Sequence, residues 1–352
     1  MRKQQLDSSR QIQRLALVGV GLIFCAVLAS AQDVEKAFTI STRSTAGLLC
    51  GQAEEYVYNQ DWATDYKNSE LDWPFEPLFY VGEGIDLSTT MGLFASLDVK
   101  EGLPGKTGEM TDSDYLNGDG ARTNFSQSDS DTERMVIVDL KLGYNLPFDF
   151  PVKVGAYVGF SYMDIKWSAQ DGYYQYPTSG QMYGWYNDGT PYNGTYADWS
   201  ADETKTPIYG TSILYETAYL EGSLGFRASY ILVRNLSVGG FFSFSPVVYC
   251  YTEDNHELRE VNFYSTLKNG LSVEPGLSIS YTIKPGASLS LSASYKTVWN
   301  LKGDLTEVNQ GSTSTSSYSN YYAGPDSSST GANDSSAAIS MLDASLSFTM
   351  AY

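Results

Sequence analysis

The chain ends in the stretch Leu342-Asp343-Ala344-Ser345-Leu346-Ser347-Phe348-Thr349-Met350-Ala351-Tyr352. Its even positions are mostly large and apolar, whereas its odd positions are small or polar. Because successive residues of a β-strand point to opposite faces, this alternation predicts a strand with one apolar and one polar face. The stretch 287–298 repeats the pattern, with Leu289, Leu291 and Tyr295 between serines. Helical signals are few, so we predict an all-β protein.

The chain begins with the pattern of an export signal. Basic residues from Arg2 to Arg14 precede the apolar run 15–28, and the small residues Ala29-Ser30-Ala31 follow it. The run is shorter than the ~20 residues that a membrane-spanning helix needs. We therefore predict that residues 1–31 are a removed signal peptide and that 32–352 form the exported protein.

An exported chain built from alternating segments of about ten residues is typical of a transmembrane β-barrel. A closed barrel also pairs every backbone polar group within lipid. We predict ten antiparallel strands, at 37–58, 71–87, 91–100, 135–146, 152–168, 208–229, 236–250, 261–283, 287–301 and 337–352.

The connections predict which way the barrel points. Tight turns at Leu87–Thr90, Pro147–Pro151, Val233–Asn235 and Lys284–Gly286 alternate with long polar stretches. Short periplasmic turns and long extracellular loops are usual for such barrels. We expect the long extracellular loops at 59–70, 101–134, 169–207, 251–262 and 302–335.

Composition excludes several partners and sites. With 41 acidic and 22 basic residues the formal charge is −19, which repels nucleic acid and attracts cations. A single histidine, His256, rules out a histidine-rich metal site, and we expect no metal or other cofactor. Cys50 and Cys250 fall on opposite strand faces relative to Glu55 and Asp254, so we predict no disulfide between them.

His256 lies two residues after Asp254. In an extended backbone both side chains point to the same face, so Asp254 is able to orient the imidazole. A histidine titrates near neutral pH and is the usual group for moving protons in catalysis. By itself the pair is a weak signal, and a solvated loop histidine is the more common meaning of such a motif.

Several motifs, in order, resemble the omptins, a family of ten-stranded outer-membrane proteases. The resemblance covers nearly all of the exported chain. It is carried by Leu48-Leu49-Cys50-Gly51-Gln52-Ala53-Glu54-Glu55-Tyr56-Val57-Tyr58, Leu71-Asp72-Trp73-Pro74-Phe75, Met110-Thr111-Asp112-Ser113-Asp114-Tyr115, Asp254-Asn255-His256 and the closing strand.

The resemblance implies an outer-membrane endopeptidase whose active site faces outside. Asp112 and Asp114 match one catalytic pair, and Asp254 and His256 match the pair opposite it. A water between the pairs would be the nucleophile: His256 would take its proton, Asp254 would hold the imidazole, and the aspartates would position the water.

The resemblance also implies specificity for basic peptides and proteins. Glu55 matches the acid that receives the basic side chain before the scissile bond, which favours Arg or Lys there. The second pocket acid of the family falls on Thr252. Glu253, beside it, is a candidate replacement that would face the other way in a regular strand. The acid for the residue after the cut falls near Asn124 or Ser126, so we predict cleavage at basic residues without a strict dibasic preference.

Two further expectations concern the outer surface. Omptins carry a basic cluster for lipopolysaccharide, but Asp164 stands where an arginine is expected, with Lys166 nearby, so a requirement for this lipid stays open. Asp129 and Asp131 repeat the Asp-x-Asp spacing without its neighbours, and we interpret them as surface charge.

Two other functions are compatible with a barrel. The long Tyr-rich and Ser-rich loops would suit a binding protein or adhesin for host or matrix proteins, with little or no proteolysis. A diffusion pore is the weaker alternative, because the lumen of a ten-stranded barrel is narrow and mostly filled by side chains.

Overall fold

The structure is a computed structural model that describes residues 38–59, 66–115, 122–147, 151–176, 181–182, 185–186, 205–309 and 333–352. Within these ranges a short 3₁₀ helix, Glu257–Arg259, accompanies the strands. The strands are β1 Phe38–Asn59, β2 Tyr66–Thr89, β3 Leu93–Gly102, β4 Gly105–Asp114, β5 Asn124–Asn145, β6 Val152–Gln175, β7 Gln181–Met182, β8 Trp185–Tyr186, β9 Thr206–Val233, β10 Leu236–His256, β11 Val261–Lys284, β12 Ala287–Asn309 and β13 Asn333–Ala351.

The long strands close into one antiparallel ring. Consecutive long strands pair, and β13 returns to β1, with Ser41 opposite Ala351 and Asn59 opposite Asn333. β3 and β4 are successive segments of one barrel strand, because both pair with β2 on one side and β5 on the other. The strand is interrupted between Gly102 and Gly105. The ring therefore has ten positions, which confirms the predicted all-β barrel. β7 and β8 form a separate hairpin.

Large apolar side chains point outward around the half of the barrel nearer the short turns. This belt matches the lipid-facing surface of a transmembrane barrel. The short turns after β9 and β11 lie where the sequence predicts them, whereas the turn after β2 occupies 90–92 and not the predicted Leu87–Thr90. Exposed members of the belt include Phe79, Leu142, Val158, Leu224, Phe226, Leu277, Ile279, Leu291 and Leu346.

Several strands extend further upward than predicted. β4 and the first half of β5 lie within the expected loop 101–134, β6 runs to Gln175, and β10 runs to His256. Above the lipid belt the outer face meets water and the inner face lines a polar cleft, so no apolar alternation marks these segments. The Asp-x-His motif consequently lies on a strand, which corrects its placement in the expected loop 251–262.

A layer of buried apolar side chains fills the lumen at mid-height. Its largest members are aromatic: Trp73 stacks on Tyr215 with centroids 5.3 Å apart, and Trp167 lies 6.0 Å from Trp73. The layer occupies the path that a diffusion pore would need. Other members from around the ring are Leu49, Phe75, Met135, Met163, Ile165, Val248, Leu267, Leu301 and Ile339.

Cys50 and Cys250 are both free thiols, as predicted. The predicted signal peptide, 1–31, lies outside the described residues, as does most of the loops 169–207 and 302–335. No helix within the described part of the chain is long and apolar enough to cross a membrane.

Candidate active site

Asp254 and His256 lie on the inner face of β10, at its upper end, and both are buried. The Nε2 atom of His256 is 2.7 Å from Oδ2 of Asp254. Since an ionised carboxylate only accepts hydrogen bonds, Nε2 donates the proton and Nδ1 is left as the acceptor of the ring. Phe263, paired with Asp254 across β10 and β11, packs edge-on against the imidazole at 5.3 Å. The ring is therefore held in one orientation.

Asp112 and Asp114 lie on the inner face of β4, and both are buried. Ser69 of β2 donates to Oδ1 of Asp112 at 3.4 Å. The side-chain amide of Asn124 in β5 donates to Oδ2 of Asp114 at 3.0 Å. Neighbouring strands thus hold both carboxylates on one face of β4.

One cleft brings these two pairs together at the outer end of the barrel. It has a volume of about 50 Å³, which is enough for at least one water molecule. The sequence predicted that both pairs and Glu55 would meet here, and all five residues line the cleft. The other lining residues are Val57, Asn68, Ser69, Leu71, Arg259, Phe263, Leu305 and Glu307.

The cleft changes the protonation of its groups. Burial raises the pKa of Asp112 well above its ordinary value, and the charges of Asp114 and Asp254 raise it further, whereas the Arg259 guanidinium opposes them. Burial lowers the pKa of His256, and Arg259 lowers it further, against the carboxylate of Asp254. At neutral pH His256 is therefore the neutral imidazole, the form that accepts a proton.

Glu55 lies on the inner face of β1 and is 2% exposed. Burial raises the pKa of its carboxyl well above the ordinary value, and the charges of Asp254 and Asp112 raise it further. Its Oε2 atom and the hydroxyl of Tyr215 have no hydrogen-bond partner among the described residues. Buried polar atoms without partners are costly, so this pocket favours a ligand that donates hydrogen bonds.

Two other predicted pocket residues behave differently. Thr252 is buried on the same face of β10 as Asp254. Glu253 points to the opposite face, where the Tyr264 hydroxyl donates to it at 3.4 Å. Glu253 does not line the cleft, so it is not a replacement for the missing pocket acid. The alternation of side chains along β10 is the reason.

Sequence reasoning did not single out two charged residues of the cleft. Arg259, in the 3₁₀ helix after β10, and Glu307, near the end of β12, both line it. The spacing of Arg259 three residues after His256 was the one available signal. Glu307 follows no motif. No group of three or more His, Cys, Asp or Glu side chains in the described ranges is arranged to hold a metal ion.

Charged side chains on the outer wall form ion pairs with one another. Lys106 pairs with Asp129 at 2.7 Å on the exposed face. Asp164 accepts from the Arg134 guanidinium at 2.8 and 3.0 Å, and Arg134 also reaches Glu216 at 2.9 Å. The cations of this region are therefore neutralised by neighbouring acids.

Comparisons with known proteins agree with this architecture. The family model described as the Omptin family matches residues 36–333. The outer membrane protease OmpP of Escherichia coli (strain K12) is 25% identical over 309 residues, 88% of this chain and 92% of the relative. The plasminogen activator of Yersinia pestis is 22% identical over 279 residues, 78% of this chain and 80% of the relative.

A solved structure supports the same assignment at the level of the fold. The crystal structure of the outer membrane protease OmpT from Escherichia coli superposes with a TM-score of 0.70 and 18% sequence identity, covering 89% of this chain and 97% of that one. The barrel, the order of the motifs and the family match agree. The chain belongs to the Omptin family.

Proposed function

We propose that this omptin is an outer-membrane endopeptidase that cleaves exposed peptides and proteins at Arg or Lys, using a water activated between two side-chain pairs. One observation carries the proposal. His256, Asp254, Asp112, Asp114 and Glu55 come from three separate strands and line one cleft of about 50 Å³ at the outer end of the barrel.

The mechanism follows from the hydrogen bonds of His256. Nδ1 of the neutral imidazole accepts a proton from the water as the water attacks the peptide carbonyl. Asp254, bonded to Nε2, stabilises the imidazolium that forms. His256 then returns the proton to the leaving amine. Asp112 and Asp114 orient the water, and the raised pKa of Asp112 limits the negative charge that they present to it.

Specificity follows from Glu55. Its carboxyl is buried without a hydrogen-bond partner at Oε2, so a guanidinium or ammonium group would supply both the missing donor and the opposite charge. Because burial raises the pKa of Glu55, its ionisation is coupled to the arrival of the substrate cation. Thr252 contributes no second charge, so a single basic residue before the cut is the expected requirement.

The test uses His256→Ala and a fluorogenic Arg-containing peptide on intact cells. We expect the variant to lose turnover while the amount of barrel in the outer membrane stays the same. Unchanged turnover would exclude the mechanism. Wild-type protein that attaches to host or matrix proteins but leaves every basic peptide intact would instead select the adhesin alternative, whose loops lie mostly outside the described residues.

A further inference from the structure

The 3₁₀ helix Glu257–Arg259 follows His256 directly and joins β10 to β11 at the outer end of the barrel. Glu260 ends it in the left-handed conformation, with φ of 53°, and its backbone N–H donates to the carbonyl of Glu257. This tight reversal leaves Arg259 three residues from His256, on the cleft side. The guanidinium consequently lines the same small volume as the two proposed catalytic pairs.

The Arg259 guanidinium contacts the imidazole itself. Its Nη2 atom meets Nδ1 of His256 and lies 3.2 Å from Nε2. Nε2 is held by Asp254, so Nδ1 is the nitrogen with a free lone pair. An arginine only donates and does not lose its proton in proteins. While this contact lasts, Nδ1 is unable to accept a proton from a water.

The surroundings of Arg259 are acidic, and they are the same acids that a basic substrate would meet. Its positive charge acts on the carboxyls of Asp112 and Glu307, opposing the rise that burial causes in the pKa of each. A substrate Arg or Lys would enter this same field to reach Glu55. In so small a cleft two cations compete for the same carboxylates and repel each other.

We propose that Arg259 is a specificity-determining residue that caps Nδ1 of His256 until a cationic substrate side chain displaces it. The proposal rests on the proposed function, since the capped nitrogen is the proposed base. A substrate without a positive charge fits the cleft but leaves the cap in place. A substrate with Arg or Lys uncaps the base as it binds, so the cleft selects cations at the chemical step as well as at the binding step.

The first test needs no catalysis. His256 is the only histidine in the chain, so ¹⁵N-histidine labelling of the refolded, untagged barrel gives the signals of one imidazole. We compare wild type, Arg259→Gln and the control Arg134→Gln on the outer wall, following the ring signals across pH. Removing Arg259 should raise the pKa of His256 and change the Nδ1 signal, whereas the control should match wild type.

Charged and titratable groups in and beside the cleft contribute to this titration. Identical ring signals and titration in wild type and Arg259→Gln would overturn the cap, whether or not the protein cleaves peptides. The groups are Asp254 on β10, Arg259 on the 3₁₀ helix, Asp112 and Asp114 on β4, Glu55 on β1, Glu307 on β12 and the Tyr176 hydroxyl after β6.

The second test measures selectivity with two peptides that differ only in Arg or citrulline before the cut. In Arg259→Gln the kcat for citrulline should rise by roughly tenfold, the gain when the competent state grows from about a tenth to nearly all molecules. The kcat for Arg should change much less. Arg259→Lys keeps the charge and should retain most of the selectivity of the wild type.

A different role for Arg259 would change kcat in the opposite direction. If Arg259 instead stabilised the oxyanion of the intermediate, Arg259→Gln would lower kcat for both peptides by about 10²–10³. That outcome would overturn the cap. Failure of the proposed function looks different again, because wild type would then cleave neither peptide while the labelled imidazole still reported the contact with Arg259.

Discussion

The barrel buries charged residues in two regions, and it treats them in opposite ways. In the lower lumen, buried acids pair with bases: Lys296 pairs with Glu221 at 2.5 Å and Lys100 with Asp343 at 2.6 Å. In the outer cleft, carboxylates face other carboxylates. The apolar layer around Trp73 separates the two regions. The same strands therefore carry a neutralised network below and concentrated negative charge above.

The two regions therefore contribute differently: the lower lumen to stability and the outer cleft to function. Paired buried charges cost little once they are formed, but breaking one pair leaves a charge stranded. Neighbouring carboxylates repel each other, which raises their pKa values and destabilises the fold. Groups with such perturbed pKa values concentrate at functional sites. Removing one charged group from each region should consequently give opposite results: lost activity in the outer cleft and lost stability in the lower lumen.

The largest expected effect is in the cleft. Asp112→Asn keeps the shape but removes one member of the pair that orients the water, so we expect kcat for an Arg peptide to fall by about 10²–10⁴. Unfolding in urea should be unchanged or slightly harder, because an amide is cheaper to bury. A variant that keeps full activity would show that β4 is structural only.

The next effect is in the lower lumen. Lys296→Met leaves Glu221 buried without its cation, and we expect a loss of about 3–5 kcal/mol in the free energy of unfolding. Peptide cleavage by the folded protein should stay at the wild-type level. The double variant with Glu221→Gln is the matched control and should recover most of the loss. If the single variant is as stable as wild type, the pair is not the stabilising unit.

A smaller effect separates binding from stability within the cleft. Glu55→Gln removes a carboxyl whose pKa is raised by burial, so the protein should become more stable at neutral pH. The discrimination of Arg over citrulline peptides should fall by about tenfold to a hundredfold, because the charge partner is lost. If Glu55→Gln still discriminates between the Arg and citrulline peptides, a residue other than Glu55 recognises the basic side chain.

The pH profile gives a further, smaller effect. Because burial and the charge of Arg259 lower the pKa of His256, the acidic fall in kcat should lie at lower pH than the ordinary imidazole pKa of 6.5. The raised pKa of Glu55 acts in the other direction on binding, and KM for Arg peptides should increase on acidification. A kcat that already falls near pH 7 would contradict a neutral base.

The smallest effect concerns the outer wall. Arg134 is already occupied by Asp164 and Glu216, so Arg134→Gln should change stability by no more than about 0.5 kcal/mol. It should also leave activity with and without added lipopolysaccharide unchanged. A strong loss of lipid stimulation in this variant would assign the lipid site to this patch after all.

The sequence predicted much of this molecule, and its errors have a physical pattern. Alternation identified the strands within the lipid belt, where one face must be apolar. It missed β4 and the upper part of β5, where both faces are polar and only backbone pairing continues the sheet. Arg259 was missed because its one signal, the spacing of three residues after His256, is not specific for a functional site.

By itself the sequence determined the β-barrel, because alternation is a local property, and the resemblance of its ordered motifs to the omptins supplied the residues of both proposed pairs. Only the tertiary structure decided which side chains share the cleft. A register shift in the pairing of β1 with β2, between Leu49 and Gly51, brings Trp73 and Tyr80 to the same inner face despite their odd and even positions. Ring closure then sets Asp112 across from His256, because contacts between distant strands depend on register around the whole barrel.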